Sequence, residues 1–385
     1  MEKLALTAGA RAVFGLPRPV RRLLAGRPIR RDGQTLDLDM QLMLRLAKVA
    51  GESLAHGGDV ATARALLDAN AQIGGGRRIE PIAVRELSIN TGEQPIAARL
   101  YTPEGLTERS PLLVYYHGGG WVVGSLDSHD NLCRFLAQHA NIRVLSVDYR
   151  LAPEHRFPAA VDDALAALRY AHSNARALHI DPSMIALGGD SAGGNLAAVT
   201  AHLAARAGGP TPAFLLLFYP AVDNTVRRRS RDEFAHGFYL TDEHIKFYSD
   251  HYCPDVEVRN TDPRFSIGIA DDLSGLPPTY LATAGFDPLR DEGEAFARRL
   301  TDAGVPVVLR RHSDLLHGFA SMLAIGDRGR EAVAEAVGAL RTGLAIGSRG
   351  EATTTRTLLV EQLEVSAVDD GHVDGAKSVD LDKEH

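Results

Sequence analysis

Cysteine is scarce. The 385 residues hold only Cys133 and Cys253, which are too few and too far apart for a disulfide framework or a metal-ligand spacing. Long apolar runs are missing too. No stretch approaches the roughly 18 residues of a membrane-spanning helix. The N-terminus has no continuous apolar segment ahead of a small-residue cleavage pattern, so no secretory signal is expected. These absences together make a reducing cytoplasm the expected setting. Basic charge is not in excess: the net charge is −7. Nine acids against four bases in 346–385 account for most of it, which leaves the rest near neutral. Nucleic acid is therefore not an expected partner. Internal repeats are also absent.

Glycine, by contrast, is placed pointedly. Leu187-Gly188-Gly189-Asp190-Ser191-Ala192-Gly193-Gly194 contains Gly189-x-Ser191-x-Gly193. Such a turn presents a serine between a strand and a helix, where flanking side chains would clash. The apolar run Met184–Gly188 precedes it. Ala- and Leu-rich sequence from Asn195 to Arg206 follows, and stops at Gly208-Gly209-Pro210. About seventy residues earlier, Tyr116-His117-Gly118-Gly119-Gly120-Trp121 follows another apolar strand. A glycine run there can turn backbone N–H groups towards an oxyanion. The pair, in this order, implies a serine hydrolase.

A serine hydroxyl needs a base, usually a histidine held by a carboxylate. Fifteen histidines leave identity alone uninformative. In α/β-hydrolases the chain order is serine, acid, histidine, on loops after successive strands. Pro278–Thr283 reads as a strand ending in Asp287-Pro288, a good helix start. Val305–Arg310 reads as the next strand, and its loop carries His317-Gly318-Phe319. Asp287 and His317 are thus the candidates. Asp291, Asp314 and His312 are their rivals.

His117–Trp121, Gly189–Gly194, Asp287–Gly293, His317–Phe319 and Asp148–Pro158 resemble the hormone-sensitive-lipase-like esterase branch of the α/β-hydrolases, over roughly residues 80 to 345. The resemblance implies Ser191 as nucleophile, with Asp287 and His317 as partners. It also implies an oxyanion hole from the N–H groups of Gly118, Gly119 and Ala192. Gly120, Trp121 and Asp190 are the pocket candidates, with Trp121 equally readable as core packing under the loop. His117 reads as shaping that loop. No metal or organic cofactor is implied, and the partner expected is a small-molecule ester of short to medium acyl chain. The alternatives are a catalytically silent ligand-binding relative, or a lipase, amidase or lactonase using the same triad.

The expected fold is α/β, with a mostly parallel central sheet flanked by helices and a helical cap. Residues 81–222 and 274–345 would form the core. An N-terminal helical segment, 1–80, and an insertion, 223–273, would form the cap. The insertion carries a helix capped at Thr241. Residues 346–385 are expected as a disordered tail, apart from an alternating piece at Thr357 to Val365. In the first 31 residues, Arg11, Arg18, Arg21, Arg22, Arg27, Arg30 and Arg31 interleave with Phe14, Val20, Leu23 and Leu24. This arm reads either as packing on the body or as making weak contact with a membrane surface. A homodimer is left open.

Overall fold

Eight strands form one sheet in a computed structural model that describes residues 12–50, 59–106 and 109–347. The strands are β1 (Ile82–Asn90), β2 (Pro95–Pro103), β3 (Ser110–Tyr116), β4 (Arg143–Val147), β5 (Ile180–Asp190), β6 (Phe214–Phe218), β7 (Thr279–Phe286) and β8 (Val307–Leu316). Their spatial order is β1-β2-β4-β3-β5-β6-β7-β8. Only β2 runs against its neighbours, and all other pairings from β4 onward are parallel. The central strands are buried along their whole length because both faces are covered.

Side-chain alternation divides the core. Leu112, Val114, Leu187, Leu215 and Leu217 face one layer, under helices α5 (Ala159–Ser173), α6 (Ala192–Arg206) and α8 (Arg290–Asp302). Leu113, Tyr115, Ala186 and Leu216 face the other, under α4 (Asp130–Ala140) and α9 (Arg328–Gly347). Each fully buried leucine or valine among them contributes about 1.5–3 kcal/mol.

Outside the sheet, α1 (Arg18–Ala25), α2 (Leu38–Ala50) and α3 (Val60–Gly74) precede β1. Between β6 and β7 lie short helices and α7 (Asp242–Tyr252), whose N-terminus carries the expected cap, with Thr241 Oγ1 accepting from His244 N–H. Two features depart from the sequence reading. A two-stranded hairpin, Arg30–Arg31 with Gln34–Thr35, turns through Asp32 and Gly33, both at positive φ. The expected strand at Val305–Arg310 instead extends to Leu316, with a register break after His312. Helix α9 runs through Gly347, but the rest of the expected tail and the Thr357 to Val365 piece lie outside the described residues. Among the described residues no helix is long and apolar enough to cross a membrane.

Candidate active site

Ser191 sits between β5 and α6 with φ 55° and ψ −118°, a conformation that costs energy for a non-glycine residue. Its backbone is pinned on both sides. The N–H donates to Phe218 O at 2.9 Å, and the carbonyl accepts from Asn195 N–H at 3.1 Å and Ala221 N–H at 3.2 Å. The flanking glycines are a packing requirement. A Cβ on Gly193 would stand 1.9 Å from Tyr116 O, and one on Gly189 would stand 2.4 Å from the Gly193 backbone.

The end of β8 brings His317 to this serine. Its Nε2 is 3.0 Å from Ser191 Oγ, and its Nδ1 is 2.8 Å from Asp287 Oδ2. Asp287 is wholly buried past the end of β7. Its other oxygen accepts the Leu289 N–H at 2.8 Å. Helix α8 starts only at Arg290, so the expected helix start at Asp287-Pro288 is corrected: the carboxylate caps a tight turn ahead of the helix. The rivals are occupied elsewhere. Asp291 accepts from Ser230 N–H and Arg290 Nε, both at 2.8 Å. Asp314 pairs with Arg328 at 2.7 Å. His312 packs against the Phe319 ring, and burial followed by the nearby Arg310 charge lowers its pKa to about 4.

The glycine loop needs two corrections. Gly118 N–H donates to Asp190 Oδ1 at 2.9 Å, so it is already committed beneath the loop. The N–H groups of Gly119, Gly120 and Ala192 have no acceptor among the described residues. Asp190 is not a pocket wall either. It is buried under the loop, accepting also from Tyr115 Oη at 2.8 Å, with His129 Nε2 at 3.2 Å. Burial alone would raise its pKa, but His129 and Tyr115 outweigh burial and hold it below the usual carboxylate value. Trp121 lies in the core, stacked on Tyr252 at 4.7 Å and tilted against Phe265 at 5.3 Å. His117 stacks on Tyr149, and burial, then His129, lowers its pKa to about 4, leaving a neutral ring at neutral pH.

Sequence reasoning missed three tyrosines. The Tyr219 ring is 4.6 Å from His317, and its hydroxyl accepts the Ala320 N–H at 3.2 Å. Tyr248, on α7, lies so close to Gly120 that a Cβ there would be 2.2 Å from its ring. Tyr239 stands over Gly318. The aromatic content of the inserted segment was visible, but which loops it would meet was not. No group of three or more His, Cys, Asp or Glu that could hold a metal occurs among the described residues.

Known proteins resemble the chain over most of its length. Residues 113–321 match the family model of the alpha/beta hydrolase fold. The carboxylic ester hydrolase LipN of Mycobacterium tuberculosis is 45% identical over 88% of this chain and 92% of its own. An ethyl acetate hydrolase of Pseudomonas putida is 37% identical over 80% of this chain and all of its own. Among solved structures, a hyperthermophilic esterase from Pyrobaculum calidifontis is 42% identical, with a TM-score of 0.71 over 74% of this chain and 94% of its own. An ester hydrolase from the Lake Arreo metagenome is 37% identical, with a TM-score of 0.77 over 80% and 99%.

Proposed function

The chain belongs to the α/β-hydrolase family, in its hormone-sensitive-lipase-like esterase branch, and is a carboxylic-ester hydrolase; from that premise we propose that Ser191, His317 and Asp287 carry the reaction through an acyl-enzyme. The observation that carries this reading is the unbroken line from Ser191 Oγ through the His317 ring to Asp287 Oδ2. His317 takes the serine proton as Oγ attacks the ester carbonyl. Asp287 fixes the ring and stabilises the imidazolium. The N–H groups of Gly119, Gly120 and Ala192 receive the developing oxyanion, at about 3–4 kcal/mol per donor. His317 then protonates the leaving alcohol, and water repeats the sequence on the acyl-enzyme.

We read the described residues of the expected 1–80 segment, together with 223–273, as a cap over the core formed by 81–222 and 274–345; residues 1–11 and 51–58 of that segment lie outside the described residues. Tyr248 against Gly120 supports this, because it lowers a roof onto the oxyanion loop. A low roof suits short to medium acyl chains, as does the similarity to an enzyme named for ethyl acetate. The two buried, unpaired cysteines fit a reducing cytoplasm. On α1, Leu23 and Leu24 are exposed among arginines, which fits weak contact with an anionic membrane surface.

The test is Ser191→Ala with a panel of p-nitrophenyl esters from acetate to palmitate. Hydrolysis is lost while the fold is kept, a phosphonate labels only the wild-type serine, and wild-type turnover peaks at short or medium chains. Near wild-type turnover by the variant overturns the mechanism. A preference for emulsified long-chain substrate overturns the acyl range.

A further inference from the structure

The oxyanion loop is built on glycine. Gly119 and Gly120 both take positive φ, 117° and 60°, and neither has a side chain to anchor it. Three backbone attachments hold the run: Gly118 N–H to Asp190, Gly118 O to the His117 ring, and Gly119 O to the N–H groups of Val122 and Val123. The first is the attachment nearest Ser191 in sequence, and it ends on a carboxylate that is itself buried. Left alone in a low-dielectric site, that carboxylate would turn or take up a proton.

His129 is what faces it. This histidine ends the loop before α4, is 5% exposed, and places Nε2 3.2 Å from Asp190 Oδ1 and 3.4 Å from Oδ2. The contact is attractive only if Nε2 carries a proton and donates. The other ring nitrogen is 2.8 Å from Ser128 Oγ. Ser128 is locked in turn: its Oγ accepts from Ser125 N–H and its N–H donates to Ser125 Oγ. Ser125 Oγ reaches Asp68 on α3 at 2.9 Å. A continuous polar chain therefore runs from Asp68 on α3 through Ser125, Ser128, His129 and Asp190 to the peptide that leads into the oxyanion hole.

Resting on the mechanism proposed above, we propose that His129 is a positioning residue for the oxyanion loop: it fixes the Asp190 carboxylate, which fixes the Gly118 peptide, which aims the Gly119 and Gly120 N–H groups. His129 touches no substrate. Its loss costs transition-state stabilisation, in which those donors matter most, and leaves ground-state binding nearly intact.

The experiment compares His129→Ala, His129→Gln and Ser128→Ala by kcat and KM on p-nitrophenyl butyrate, by the rate of phosphonate labelling at Ser191, and by Tm. Glutamine puts an N–H donor near the position of Nε2. His129→Ala is expected to lower kcat about 10- to 100-fold, short of the roughly 100- to 1,000-fold loss of an outright donor deletion. KM should stay within about threefold, and labelling should slow in parallel. His129→Gln should recover most of the kcat, and Ser128→Ala should show a smaller loss of the same kind. An alanine variant with wild-type kcat, a loss residing wholly in KM, or glutamine no better than alanine at equal Tm overturns the proposal. If His129→Ala does not fold, the Ser128→Ala and His129→Gln results decide it by the same criteria. Ser191→Ala is run alongside. Its retained activity would remove the serine mechanism itself, whereas an inactive Ser191→Ala beside an unimpaired His129→Ala removes only the positioning role.

Discussion

Asp287→Asn should cripple the enzyme for a reason that the turn before α8 makes specific. Leu289 N–H points at one carboxylate oxygen and His317 Nδ1 at the other, each at 2.8 Å. An asparagine must satisfy both neighbours. A backbone N–H can only donate, so it selects the amide oxygen and turns the NH2 towards His317. Nδ1 must then accept, which moves the ring proton to Nε2. A protonated Nε2 cannot take the proton of Ser191. Loss of the right tautomer in a Ser-His-Asp triad costs about 10⁴ in kcat, or about 5.5 kcal/mol at 1.36 kcal/mol per tenfold. Asp291→Asn keeps its partners Ser230 and Arg290 out of the site and should cost less than about tenfold. Steady-state kinetics on p-nitrophenyl butyrate, with Tm measured to show intact folding, separates the two. If Asp287→Asn kept a tenth of the wild-type kcat, or if Asp291→Asn were the worse variant, the tautomer argument and the acid assignment would both fall.

Other consequences are open to measurement. Tyr248→Ala removes the ring above Gly120 and should move the optimum of the ester panel to longer chains; an unchanged profile would show that this ring does not set the acyl range. Arg64, on α3, donates to Val122 O and Ala152 O, both at 2.9 Å, and ion-pairs with Glu154, so Arg64→Ala should lower Tm and loosen the loop after the glycine run, read as faster amide exchange at Val122 and Val123. Unchanged exchange would refute it. Glu292 is buried, and burial, against the pull of the Val222 and Asp223 N–H groups, raises its pKa from 4.5 to about 8. The folded state thus holds an extra proton between those values, and stability falls as pH rises through them. Glu292→Gln should therefore gain Tm over wild type at pH 9 and not at pH 4; an equal gap at both would contradict this sign.

The fold was legible because its strands are short apolar runs separated by turn residues and Ala-rich helical segments. That pattern is what a sheet buried on both faces requires. Strand ends were the weak point. β8 runs on through Arg311-His312-Ser313-Asp314, which has no apolar pattern, because Arg311 and His312 still pair with β7 and, past a register break, Leu316 pairs with Phe286, where Leu315 and Leu316 are buried. The hairpin at Arg30–Thr35 has its only sequence signal in Asp32-Gly33, set among arginines that lack a strand pattern. Its function is tertiary: Asp32 pairs with Arg290 at 2.9 Å, beside the turn that holds Asp287.

The candidate triad was legible because chain order and strand ends constrain a nucleophile, an acid and a base more tightly than residue identity does. The support beneath the glycine loop was not, since it depends on which face of β5 a residue takes. Strand parity settles that face. Asp190 shares parity with Gly188 and Ala186, and Ala186 packs on the layer that also buries Tyr115 and α4. Asp190 was therefore bound to point at Tyr115 and at His129, which begins α4, and away from the ester. Ser191, the next residue, leaves the strand at positive φ, so two adjacent residues serve different sides of one loop. The aspartate between glycine and serine cannot be exchanged for an apolar residue without unpinning Gly118. A kcat in Asp190→Leu that matched wild type would show that the loop holds its shape without the carboxylate.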